Sequence, residues 1–154
     1  MALGREPIYA ALFSQIGALL LAPAGPFNYA GRRPVSMSAL AVEQYPAFIL
    51  VEKGEEYGRG RLFAPAKVTL RADLFIYSLQ GEVPDESDVS MLNGLADAVE
   101  DAVQAACGPT AQNTLGGLVA EAWILGRQVV TPGSYAQRQS EQVMALAITL
   151  PHSR

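Results

Sequence analysis

Apolar and polar positions follow two different periods along the chain, and the switches between them mark out its elements. Ile8, Leu12, Ile16, Leu19 and Leu20 recur at helical spacing, which predicts an amphipathic helix over Ile8 to Leu21. Pro7 suits the first helical position, where no amide donor is needed, and Pro23, Gly25 and Pro26 end the helix. A loop from Phe27 to Pro34 leads into a mixed segment, up to Gln44, with no readable period. Pro46 to Val51 then forms a continuous apolar run of strand length, a buried strand entered through proline. Glu52 to Arg61 combines both charge signs with three glycines and has no apolar period, which predicts a mobile loop or hairpin tip. From Lys67, Val68, Leu70, Ala72, Leu74 and Ile76 alternate with Thr69, Arg71, Asp73, Phe75 and Tyr77. That is the period of a long strand with one buried face; its other face turns from charged to aromatic, so the aromatic end should meet another element.

The second half repeats the alternation of helix and strand. Gly81 to Ser87 is a turn-rich approach in which Ser87 or Asp88 can cap a helix. Leu92, Leu95, Val99, Ala102, Val103 and Ala106 form the apolar stripe of that helix, Val89 to Ala106; Asp97, Glu100, Asp101 and Gln104 lie away from it, and Gly108-Pro109 stops it. Leu115-Gly116-Gly117-Leu118 reads as a tight backbone approach to a strand. Val119 to Leu125 and Val143 to Leu150 are apolar on both alternating faces, as in inner strands covered on each side or strands covered by a neighbouring subunit; on neither reading are they solvent edges. Trp123 belongs to the core on this view. Gly126 to Ser134 supplies turn chemistry, with room for a short extra strand. These elements predict an α+β fold: a single domain over residues 1–154, with a mainly antiparallel or mixed β-sheet packed against two principal helices.

Composition narrows the setting. A chain of 154 residues suits one domain that buries roughly 68–70% of its unfolded surface. Half of the residues are hydrophobic and 17% charged, below the roughly 25% usual in soluble domains, so some apolar surface is available for a partner, a second copy first of all. The net charge of −4 argues against a protein that coats duplex DNA, though passage of DNA through a pore stays open. Cys107 is the only cysteine, which excludes an intramolecular disulfide and a multi-cysteine metal site and fits a reducing compartment; it reads as a small apolar residue ending a helix. Arg5, the run Ile8 to Leu21, and Ala22 and Ala24 mimic a secretory signal, but Glu6, Ser14 and Gln15 interrupt the run, and it is too short to span a bilayer.

The sequence offers no catalytic constellation, cofactor motif or metal-ligand spacing. His152, the sole histidine, stands two residues from the end, and no G-x-S-x-G turn accompanies it. The Leu115–Leu118 glycines lack the lysine and hydroxyl of a phosphate-binding loop. Asp85, Glu86 and Asp88 sit where a helix N-terminus favours negative charge, so capping is preferred to metal binding. Arg32-Arg33-Pro34 is more informative, because adjacent arginines can grip carboxylates or phosphates in bidentate fashion; a solvated basic loop is the plain alternative. With Glu55, Glu56, Tyr57, Arg59 and Arg61, they form the candidate contact surface.

The order of these elements resembles that of the tail terminator proteins of long-tailed bacteriophages: a helix, paired basic residues, a strand, a charged loop, a long strand, a helix and a glycine-led strand pair. The resemblance implies a ring, a hexamer in that family, on the head-proximal end of the tail tube. Such a ring stops tube growth and offers the surface for head–tail joining. The implied partners are further copies of the chain, the tail tube protein and a head–tail connector or neck protein, with no membrane, catalysis or cofactor. The implied location is the virion tail, assembled in the host cytoplasm. A head–tail connector or neck protein shares this setting, and a ferredoxin-like small-molecule-binding regulatory module shares much of the element order.

Overall fold

The computed structural model describes residues 4–58, 67–81, 86–107, 115–133 and 138–151. The chain is α+β. Helix α1 (Arg5–Leu20) is followed by strands β1 (Tyr29–Gly31), β2 (Ala47–Gly58) and β3 (Lys67–Leu79), helix α2 (Glu86–Cys107), and strands β4 (Glu121–Thr131) and β5 (Gln139–Thr149). The strands form one five-stranded sheet in the order β1-β2-β3-β5-β4. All neighbours are antiparallel except β1, which runs parallel to β2. Residues 108–114, 134–137 and 152–154, and with them Gly108, Pro109, Ser134 and His152, lie outside the described residues, as do Asp85, Arg59 and Arg61.

Both helices cover one face of the sheet. Ile8, Tyr9, Leu12, Ile16 and Leu20 of α1 meet Phe48 and Leu50 of β2 and Leu70, Ala72, Leu74 and Ile76 of β3 in one core. The α2 stripe behaves as its spacing predicts, with Leu95, Val99, Ala102, Val103 and Ala106 in the same core beside Met144, Leu146 and Ile148. Phe48 is its aromatic centre, with the Phe27 ring edge-on at 5.2 Å and the Phe13 ring tilted at 6.0 Å. Leu19 departs from expectation, being 45% exposed. Leu19 shares the wheel sector of the buried Ile8 and Leu12 but lies near the C-terminal end of α1, over an open groove shared with Ala98 and Ala105 of α2. The helix also begins earlier than its apolar period, so Pro7 occupies the third position, still within the turn whose amides lack partners. Likewise α2 starts at Glu86, which places Ser87 and Asp88 inside its first turn; Asp88 Oδ1 accepts from the Gly81 amide at 3.3 Å.

The opposite face is only half covered. Arg32 to Tyr45 crosses it as a strap with short 3-10 turns at Met37–Ala39 and Val42–Gln44. Tyr45, Ala47, Ile49 and Tyr77 form a second, smaller core beneath it, with Tyr29, Met37, Leu40 and Phe75 packed alongside. Tyr77 Oη donates to Val35 O at 2.9 Å and Tyr45 Oη to Met37 O at 2.6 Å. The aromatic end of β3 therefore meets the strap, as its alternation predicts.

Two expectations fail along the strands. Glu52 to Gly58 is not a loop: β2 continues through it, paired with β3 as far as Gly58 opposite Lys67, with an irregularity between Glu52 and Glu55. Backbone pairing with the long β3 strand needs no apolar period where both faces of the arm meet solvent. The second failure is β4, which is an edge strand and extends to Thr131 through Gly126 to Val130, where turn chemistry was expected. Irregularities between Ile124 and Gly126 and between Val129 and Thr131 absorb the glycine and the broken period. By contrast, the glycine approach to β4 is as tight as predicted: Leu115, Gly116 and Gly117 all have left-handed φ, of 54°, 68° and 87°.

Buried polar groups fix how β5 sits between β3 and β4. Ser78 and Ser140, paired across β3 and β5, share a hydroxyl hydrogen bond with no exposure to solvent. Gln142, also fully buried, donates from Nε2 to Leu92 O of α2 at 2.9 Å and accepts at Oε1 from Arg127 Nε at 2.6 Å.

Candidate interaction surfaces

The residues singled out from sequence fall into two groups. One lines a charged seam between the start of α1 and the solvent-exposed half of β2. Arg32, leaving β1, places Nη1 2.7 Å from Glu6 Oε1 and Nη2 2.6 Å from Glu52 Oε1. Its fork also reaches Glu6 Oε2 at 3.0 Å, the bidentate geometry that guanidinium planarity favours. Arg5 grips Glu55 through Nε and, at 2.8 Å, through Nη2, while Tyr57 Oη donates to Glu55 Oε2 at 2.8 Å. Farther across the sheet, Arg71 pairs with Glu56 at 2.8 Å and Lys53 with Asp73 at 3.4 Å.

Electrostatics follow from these contacts. The Arg5 hydrogen bond, then that of Tyr57, lowers the Glu55 carboxyl to about 2. Glu6 is lowered by its hydrogen bond from Arg32, and the Arg32 guanidinium is raised in return. Tyr9, pushed up to about 12 by burial and then by the charges of Glu52 and Glu55, donates to Arg71 O at 3.1 Å below the seam. This seam ties helix to strand within one molecule. Arg32, Glu55, Glu56 and Tyr57 are thus engaged internally, which sequence reading did not foresee. Arg33 differs from its neighbour: it is exposed and makes no ion pair among the described residues.

The second surface was missed from sequence. Beyond the strap, the face opposite the helices is open where Asp73 of β3, Val143 and Ala145 of β5, and Gly126 and Gln128 of β4 surround a depression of about 330 Å³. Trp123, half-buried, lies on this face opposite Ala147 and outside the helical core, contrary to expectation. The edge strand beside it exposes Leu125 (49%), Val129 (41%) and Val130 (49%). Their signal was the apolar character of both β4 faces, which is shared by inner strands and by edges that a partner covers. Among the described residues there is no cluster of His, Cys, Asp or Glu arranged to hold a metal, and no helix is long and apolar enough to cross a membrane. Cys107 is buried, its thiol pushed up to about 11 by desolvation.

No family model and no curated protein matches the chain. Among solved structures, a chain in the virion of a native gene transfer agent particle superposes with a TM-score of 0.49 at 12% identity, covering 93% of this chain and 90% of that one.

Proposed function

We propose that this chain is a virion assembly protein of the tail-terminator kind, a ring-forming subunit that caps the head-proximal end of a tail tube and presents the joining surface for the head. The observation that carries the reading is the half-covered sheet: its open face and its β4 edge leave Trp123, Leu125, Val129 and Val130 available to a partner. The order of elements, from α1 through the Arg32-Arg33 pair and the charged β2 arm to the glycine-led β4–β5 pair, supports the same reading.

Capping needs no chemistry. A ring that complements the last tube ring on one side and differs on the other prevents further addition, and a heterologous contact that closes on itself supplies such a ring. Its partners would be copies of itself, the tube protein and a connector or neck protein. Negative-stain microscopy of the purified protein, alone and with tail tubes, tests the proposal; rings seated at one tube end are expected. Normal-length tails joined to heads in a virus lacking the protein would refute it.

A further inference from the structure

A groove runs between the C-terminal end of α1 and the second half of α2, and it is apolar and negatively charged at once. Leu19, Gly25 and Pro26 form one wall and Ala98, Asp101 and Ala105 the other, around about 320 Å³. The negative character has two sources. The α1 C-terminus carries the negative end of the helix dipole, and neither helix has a basic residue in its last turn to offset it. Asp101 adds a carboxylate, with Asp97 one turn before it and Glu100 beside it. All three are exposed and make no ion pair among the described residues. Like charges four residues apart repel on a helix face, and α2 has no Lys, Arg or His along its length to relieve them. Arg127 touches α2 only at Asn93, about 12 Å along the helix axis from Asp101 and beyond the roughly 8 Å screening length of physiological salt.

Such a groove fits a cation on an apolar stem beside further apolar side chains, because the stem lies along the apolar wall while the head reaches the carboxylate. The chain carries that chemistry itself. Of the stretches outside the described residues, 59–66 alone combines arginines with large apolar side chains, in Arg59, Arg61, Leu62 and Phe63. It does not reach the groove of its own molecule. The stretch starts from the Gly58–Lys67 pair, beyond the point where Arg5, at the start of α1, grips Glu55. Leu19 stands about 21 Å farther along α1, in the opposite direction, whereas half of the 59–66 stretch spans about 13 Å.

We infer that the 59–66 segment of one copy occupies the α1–α2 groove of a second copy, with its arginines at Asp101 and its Leu62-Phe63 pair against Leu19 and Pro26. The contact deepens the ring reading above and rests on it for its biological setting. Segment and groove are different surfaces at opposite ends of α1, so each copy gives one and receives one. A heterologous contact of this kind propagates from copy to copy and closes into a ring where the rotation permits.

Charge exchange in the full-length protein tests this by sedimentation velocity over a concentration series, each variant being checked for wild-type circular dichroism. Asp101→Arg puts a cation in the groove, and Arg59→Glu with Arg61→Glu puts carboxylates on the segment. Each variant alone sets like charges together and should need at least about tenfold higher concentration than wild type to assemble. Their equimolar mixture should assemble near the wild-type concentration, because the reversed segment fits the reversed groove and the two unchanged surfaces fit each other. A merely destabilised fold gives no such recovery. Assembly that neither variant weakens would overturn this contact and leave the ring reading standing, as would a mixture no better than either variant alone. Variants that form rings normally but no longer seat on tail tubes would overturn it in favour of the tube protein as the occupant. A wild-type protein that stays monomeric at every concentration and beside tail tubes would overturn contact and ring together.

Discussion

Phe48 offers the sharpest test of how the core is built. It has no exposure to solvent, stands between Ala30 of β1 and Ile76 of β3 in the ladder, and carries the Phe27 and Phe13 rings on its side chain. Truncating such a residue to alanine costs about 3–5 kcal/mol, since the cavity collapses only in part. Aromatic pairs contribute about 0.5–1.5 kcal/mol each beyond the area they bury, so Phe48→Leu, which keeps most of the volume, should lose about 1–3 kcal/mol. Against a total stability of about 5–15 kcal/mol, the alanine variant removes a large share. Urea unfolding, followed by the fluorescence of Trp123, is a suitable assay because that residue lies on the other side of the sheet from the substitution. With a slope of about 2 kcal/mol per molar, the midpoint should fall by about 1.5–2.5 M for Phe48→Ala and by about 0.5–1.5 M for Phe48→Leu. The protein concentration must be fixed and low, so that assembly does not add to the apparent stability. A midpoint for Phe48→Ala within 0.5 M (roughly 1 kcal/mol) of wild type, at unchanged slope, would refute its central place.

Other consequences follow from the seam and its neighbours. Because the folded Glu55 carboxyl is depressed to about 2, its contribution to stability is present above the ordinary 4.5 and is lost as pH falls from there toward 2; Arg5→Met should move the carboxyl back up in an NMR titration, and an unmoved carboxyl would deny the contact. Arg32→Glu should lower thermal stability by confronting Glu6 and Glu52, whereas Arg33→Glu should leave the unfolding midpoint of the monomer unchanged; equal effects would show that the two arginines share one environment. At pH 8 the Cys107 thiol should resist a disulfide reagent until the chain unfolds, and rapid stoichiometric labelling of the native protein would contradict its burial.

Where periodicity and burial coincide, the fold could be read directly: the α2 stripe, the β3 alternation and the glycine turn before β4 stand where their spacing put them. It could not be read where pairing is set by the backbone. Glu52 to Gly58 is strand because β3 is there to pair with it, and no side-chain pattern announces that. Strand order is equally silent in the sequence, so the apolar β4 was read as interior although β5, the later strand, takes the inner place. The candidate surface was half legible. Adjacent arginines announced an interaction, but only the fold separates Arg32, folded back onto Glu6 and Glu52, from Arg33, which faces solvent.

The polar pins on β5 have a consequence for fidelity. Side chains in a sheet repeat every two residues, so a slip of one would exchange the faces of β5, while a slip of two would keep the faces but misalign the strands. Either shift would part Ser78 from Ser140 and draw Gln142 away from Leu92 O and Arg127, stranding hydrogen-bonding groups among leucine and methionine. The interior of this sheet is therefore selective for one alignment, and any other is penalised at separate polar positions. Because β4, with its exposed Leu125, Val129 and Val130, is laid down on β5, a misaligned β5 would carry that whole edge with it and change the surface the molecule presents.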